Sequence, residues 1–177
     1  MLRKRMLFFL PVLLIFTSSL DFAQALKKDI DWKRWHFIIG EWVAEGGGKP
    51  GQGTGSFSFD FDLQKRILIR KNSAIYPPAG GNPAYTHNDL MIIYKGPSYS
   101  TEAMYFDNEG HVINYSVKFS DDQNSIIFES IPQAHEPVYR LTYIKVNNQK
   151  LNLKFEIAQP DTPLNFSTYI EATAHRK

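Results

Sequence analysis

The chain predicts an all-β fold, an antiparallel up-and-down barrel of about ten strands preceded by a short helical turn. Three observations predict it. Apolar residues alternate with polar ones over several short runs, as in Phe57, Phe59 and Phe61 against Ser56, Ser58 and Asp60, which is the period-two signature of a half-buried strand. The runs are separated by Gly, Pro and Asn clusters, which are turn formers. No stretch after Ile38 carries helical periodicity, so no helix is left to cover a sheet face, and a meander that closes on itself leaves no exposed edge. A two-sheet sandwich is the alternative arrangement.

Residues 1–25 are set apart from the fold. Arg3, Lys4 and Arg5 precede the apolar run Met6 to Leu20, and Ala23-Gln24-Ala25 offers a small-residue cleavage site, the pattern of a secretory signal peptide. The run is short for a bilayer span and contains Pro11, so a retained anchor is the second reading. The chain has no Cys, which excludes a lipid-modified amino-terminal cysteine, disulfides and thiolate metal sites. Removing 25 residues from 177 leaves 152, enough for one domain, residues 26–177, with a sizeable core. The segment holds three of the 20 Lys+Arg and one of the 18 Asp+Glu, leaving 17 of each. The mature chain is therefore neutral, with no electrostatic case for nucleic acid. The expected place is secreted or periplasmic, without stable membrane insertion after cleavage.

In chain order, Asp31 is a possible cap for a helical turn within Leu26 to Phe37 that closes one end of the barrel. Ile38 to Val43 begins the first strand, and the glycines from Gly46 to Gly55 form a loop. In Gly40-Glu41-Trp42 the glycine permits close approach and the indole either plugs a barrel end or is an ordinary core tryptophan. Strands follow at Ser56 to Phe61, Lys65 to Tyr76, His87 to Lys95 and Tyr99 to Asp107, with Pro77 to Pro83 as a rim or lid loop. Asn108-Glu109-Gly110 reads as a three-residue hairpin that sets Asp107 opposite His111. That register puts Ala103 and Tyr105 on one face with Ile113, Tyr115, Val117 and Phe119. Ser125 to Ile131, Val138 to Val146, Leu151 to Ile157 and Asn165 to Ala174 complete the count.

Two end segments carry a family resemblance. Ile39-Gly40-Glu41-Trp42-Val43-Ala44-Glu45-Gly46 and Tyr169-Ile170-Glu171-Ala172-Thr173-Ala174-His175-Arg176 are similar to the opening and closing strands of nitrobindin-like barrels, within the calycin superfamily of ligand-binding barrels. The middle of the chain, including Tyr105 to His111, resembles secreted relatives of such barrels with no assigned activity. The resemblance implies a closed barrel that holds a ligand. That family binds haem through a closing-strand histidine, and the matching place here, Thr168-Tyr169, has none. A tyrosinate can ligate ferric haem, but with Phe166, Thr168 and Ile170 inward Tyr169 points out, so no haem or other cofactor is carried over.

The residues offer cavity candidates rather than a catalytic set. No nucleophile elbow, phosphate loop or dinucleotide fingerprint is present, and the five His have no metal-ligand spacing. Arg70 and Asn72 share one strand face while Lys71 shares the other with Ile67 and Ile69. Arg70 is either an interior anchor for a carboxylate or phosphate or a snorkelling rim residue. His87 with Asp89 reads as a solvated pair, or as a cation site. His111 beside Asp107 is either a general base or a hydrogen-bonded turn pair. Tyr94, Tyr105, Tyr115 and Tyr143 are expected to converge on the interior, giving apolar walls with hydroxyl contacts. The candidate site is thus Trp42, Arg70, Asn72, Tyr94, Tyr105, His111, Tyr115 and Tyr143. The expected function is binding of a small apolar or amphipathic molecule. An envelope protein-interaction module using the Pro/Gly loops, and a hydrolytic enzyme, are the alternatives.

Overall fold

Residues 30–46 and 53–177 are described by a computed structural model of the chain; residues 1–25, which the sequence reads as a signal peptide, and the tip of the glycine loop lie outside them. Ten strands run in sequence order, β1 (Gly40–Gly46), β2 (Thr54–Asp62), β3 (Ile67–Tyr76), β4 (Tyr85–Lys95), β5 (Thr101–Asp107), β6 (Val112–Phe119), β7 (Ser125–Ser130), β8 (Val138–Asn147), β9 (Lys150–Ala158) and β10 (Phe166–Arg176). Each pairs antiparallel with its sequence neighbours, and β1 pairs with β10 to close the ring. The sandwich alternative is set aside by that pairing. Among the described residues no helix is long and apolar enough to cross a membrane.

One end is shut by the only helical element among the described residues, a single 3-10 turn at Trp32–Trp35. Asp31 caps it by accepting from the Lys33 amide at 3.1 Å. Trp35 and Ile38 are driven under the turn into the core, so the segment acts as a plug whose seal is hydrophobic burial. Trp42 is fully buried beside it and donates from Nε1 to the Ile38 carbonyl at 2.8 Å. The Arg176 guanidinium lies 4.3 Å from the Trp42 ring centroid and donates to the carbonyls of Phe37, Ile39 and Asn148. Gly40 is required here, since it holds φ +106° and a Cβ would stand 3.0 Å from Arg176 Nη1.

Burial then divides the barrel into two halves. In the plugged half the inward residues Trp42, Phe59, Leu68, Ile93, Ile126 and Leu151 are at 0% exposure and form one aromatic-rich core, against which the half-buried Phe61, Val117 and Phe119 pack near that end. Toward the other end the inward residues Ala74, Tyr76, Tyr139, Leu153, Phe155 and Ile170 are only half-buried. Solvent therefore reaches the inner wall of that half. Its mouth is rimmed by the turns β3–β4, β5–β6, β7–β8 and β9–β10, so the Pro77 to Pro83 loop stands at the open end as its composition suggested.

The hairpin register follows the sequence expectation. Gly110 is left-handed at φ +94°, the Asp107 amide donates to the His111 carbonyl at 3.3 Å, and Ala103 and Tyr105 face Tyr115 and Ile113.

The closing strand differs from expectation. Phe166 and Thr168 pair with Ala158 and Glu156 on the outer face, and Phe166 lies over the Arg140 guanidinium at 3.5 Å. A bulge between Thr168 and Ile170 resets the alternation, because one extra residue stands opposite a single partner. Ile170 thereby turns inward. Tyr169 turns with it to the mouth, edge-on to Phe155 at 6.2 Å, although it stays 68% exposed.

Candidate functional site

Polar groups meet where the solid core ends and the open half begins. Pairing of β3 with β4 sets Arg70 opposite Met91 and Asn72 opposite Asp89, all on the inner face with Leu68 and Ile93. Arg70 is 5% exposed and its guanidinium is paired to Asp89 through Nη1 and Oδ1. Asn72 Nδ2 donates to Asp89 Oδ2 at 2.8 Å. His87, two residues along the same face, lies between carboxylates: Nδ1 is 2.9 Å from Glu109 Oε1 and Nε2 is 3.4 Å from Asp89 Oδ2. Nε2 is also 3.0 Å from the Tyr105 hydroxyl, which donates to Asp107 Oδ2 at 3.2 Å. A continuous hydrogen-bonded chain thus links the rim to the barrel floor.

The charges follow from this geometry. Burial is the largest single influence on Arg70 and would lower its pKa, but Asp89 together with Tyr143 and Tyr105 outweighs it, and the guanidinium is held above its ordinary value. The hydrogen bond to Asp89, with Glu109 adding to it against partial burial, lifts His87 from 6.5 to about 9. It is therefore an imidazolium at neutral pH. Burial pushes the Tyr105 and Tyr115 hydroxyls up and Tyr143 to about 12, so all three stay neutral.

The His87 pKa carries a stability prediction. Its folded value lies above the unfolded one, so its contribution is fully present below pH 6.5 and lost as pH rises through about 9. Unfolding midpoints should fall across that window, and His87→Gln should flatten the profile there. An unchanged profile in the variant would assign the pH dependence elsewhere.

Two polar atoms in this layer have no partner. Arg70 Nε and the Tyr143 hydroxyl are both buried without a hydrogen bond of good geometry, although the two side chains interact electrostatically. The Arg70 guanidinium carbon lies 5.8 Å and 5.9 Å from the ring centroids of Phe57 and Tyr143. An unmet buried donor costs about 1–3 kcal/mol, so this is where an added oxygen atom gains most.

Above the floor the wall is aromatic. Tyr76 and Tyr85 stack at 4.8 Å on β3 and β4, and Tyr139 stacks with Phe155 at 6.0 Å on β8 and β9. In the ring order these strand pairs stand on opposite walls. Tyrosine and phenylalanine faces around a wet opening suit apolar ligand surface with occasional hydroxyl contacts.

The structure gathers some sequence-predicted residues and separates others. Arg70, Asn72, Tyr105, Tyr115 and Tyr143 line the floor or the layer beneath it. Arg70 is interior, but its charge is already matched by Asp89, so it is not a free anchor for a carboxylate or phosphate. Trp42 belongs to the plugged end and lines no cavity. Tyr94 faces outward, because Met91 and Ile93 take the inner face of β4. Its neighbour across the strands is Glu102. His111 is at the rim with its side chain 58% exposed, Nδ1 2.8 Å from Asp107 Oδ2, a turn pair that caps the hairpin. With the His111 and Glu109 amides also donating to it, Asp107 is held below the usual carboxylate range despite burial.

Asp89 and His87 were expected to form a solvated pair, but Asp89 is buried. The signal was present: two polar residues alternating with Met91 and Ile93, across from Arg70 and Asn72 alternating with Leu68. Tyr76, Tyr85, Tyr139 and Tyr169 are not among the wall residues read from the sequence. The first three follow from strand register, but Tyr169 depends on the bulge. His87 has partners on both ring nitrogens, Glu109 at Nδ1 and Tyr105 with Asp89 at Nε2. Among the described residues no group of three or more His, Asp or Glu is disposed to hold a metal ion. A concavity of about 510 Å³ lies outside the plugged end, lined by Lys33, Arg34, Lys145 and Arg176 among others. It is open and remote from the interior cluster.

No protein-family model matches the chain, and no curated protein is significantly similar to it.

Proposed function

We propose that the open half of the barrel holds a small, largely apolar molecule whose polar end reaches the floor formed by Asn72, Tyr105 and the Arg70–Asp89 pair. The observation that carries this reading is the change in burial along the inner wall, from fully buried residues in the plugged half to half-buried apolar ones toward the mouth. Half-wet apolar wall is surface that a ligand can still remove from water, at about 25 cal/mol per Å². The sequence pattern at residues 1–25 adds that the protein is exported and meets its ligand outside the cytoplasm.

The test uses the neutral fluorophore N-phenyl-1-naphthylamine. It should brighten on binding the full-length mature protein, and Leu153→Trp, which fills the half-buried wall above Tyr143, should weaken binding about tenfold or more. Because Leu153 also packs against the core, the thermal midpoint is measured alongside, and the comparison is made with a variant whose midpoint stays within a few degrees. Equal binding by both proteins would place the dye elsewhere and remove the support for an interior site.

A further inference from the structure

Resting on the reading of the open half as a ligand cavity, we infer that the ligand's polar end is a neutral oxygen acceptor, such as an alcohol, ketone or ester, and not a carboxylate. The balance of charge at the floor carries this. Arg70 is matched by Asp89, and His87 is matched by Glu109, with Asp89 also beside it. The remaining titratable neighbours are Asp107, which is paired with His111, and tyrosines that stay neutral. Among the described residues no cation facing this layer lacks a carboxylate. An arriving carboxylate would stand close to Asp89 with no charge left to compensate it, in a site where the side chains of Arg70 and Asp89 are 6% and 3% exposed.

A neutral oxygen meets no such cost and meets a need. Arg70 Nε is a donor without an acceptor, and the Tyr143 hydroxyl is a donor in the same position. A carbonyl or hydroxyl oxygen that enters past Asn72 can accept from both, satisfying them without changing the charge of the floor. An arginine inside a barrel suggests an acid-binding site when read alone; its pairing with Asp89 reverses the preference.

The experiment compares decanol, methyl decanoate and decanoate as competitors of N-phenyl-1-naphthylamine on the mature protein near neutral pH. The two neutral ligands should bind about tenfold or more tighter than the acid, and the variants give the decisive readout because they change the floor and leave the ligands alone. Asp89→Asn removes the buried negative charge and should shift the acid-to-alcohol affinity ratio toward the acid by about tenfold or more. Glu109→Gln, an exposed change that does not disturb the core, should shift it the same way by a smaller factor. Decanoate binding as tightly as decanol to the unaltered protein would overturn the inference, and so would a ratio that neither variant moves. Failure of all three ligands to displace the dye would overturn the cavity reading, and the inference with it.

Discussion

Asp89→Ala is expected to lower the unfolding free energy by about 3–5 kcal/mol, the cost of leaving one partner of a buried ion pair uncompensated. Arg70 is left as a buried charge without its carboxylate, and Asn72 and His87 lose their shared acceptor in the same step. For a domain of this size the loss corresponds to a thermal midpoint lower by roughly 6–20 °C. The informative comparison is the double variant Arg70→Met/Asp89→Leu, which removes both charges and keeps apolar volume. It should recover most of the loss, because paired buried charges contribute little net stability over a well-packed apolar pair. A double variant no better than Asp89→Ala would mean that the damage comes from packing and not from charge.

The second large effect sits at the plugged end. Trp42→Ala removes a fully buried indole stacked on Phe57 and covered by Arg176, and should cost about 3–5 kcal/mol. Trp42→Phe separates the causes. It keeps an aromatic face but leaves the Ile38 carbonyl without its 2.8 Å donor, a loss of about 1–3 kcal/mol. Denaturant unfolding of the two variants should therefore differ in midpoint and agree in slope. Equal losses would make the hydrogen bond, rather than burial, the main contribution of Trp42.

Much of this architecture was legible because strands announce themselves by alternation. Phe57, Phe59 and Phe61, and Leu151, Leu153, Phe155 and Ile157, each place one face in the barrel, and the Asn108-Glu109-Gly110 turn sets the β5–β6 register. Legibility failed where alternation was silent. From Leu90 to Tyr94 the residues are apolar on both faces, so nothing local shows that Met91 and Ile93 look inward and Tyr94 outward. Orientation there is decided by Asp89, whose partner Arg70 lies on another strand. Tyr169 was misplaced for a different reason, since a bulge changes the facing of a residue without changing the composition around it. The floor of the site is thus a product of register between strands, which single-strand patterns do not carry.

The seam between β1 and β10 has a consequence in time. Trp42 finds Arg176, and Gly46 finds Ala172, only after nearly the whole domain has been synthesised. Until then the growing polypeptide carries two unpaired borders, and the ring is sealed only when the last strand has emerged to join the first.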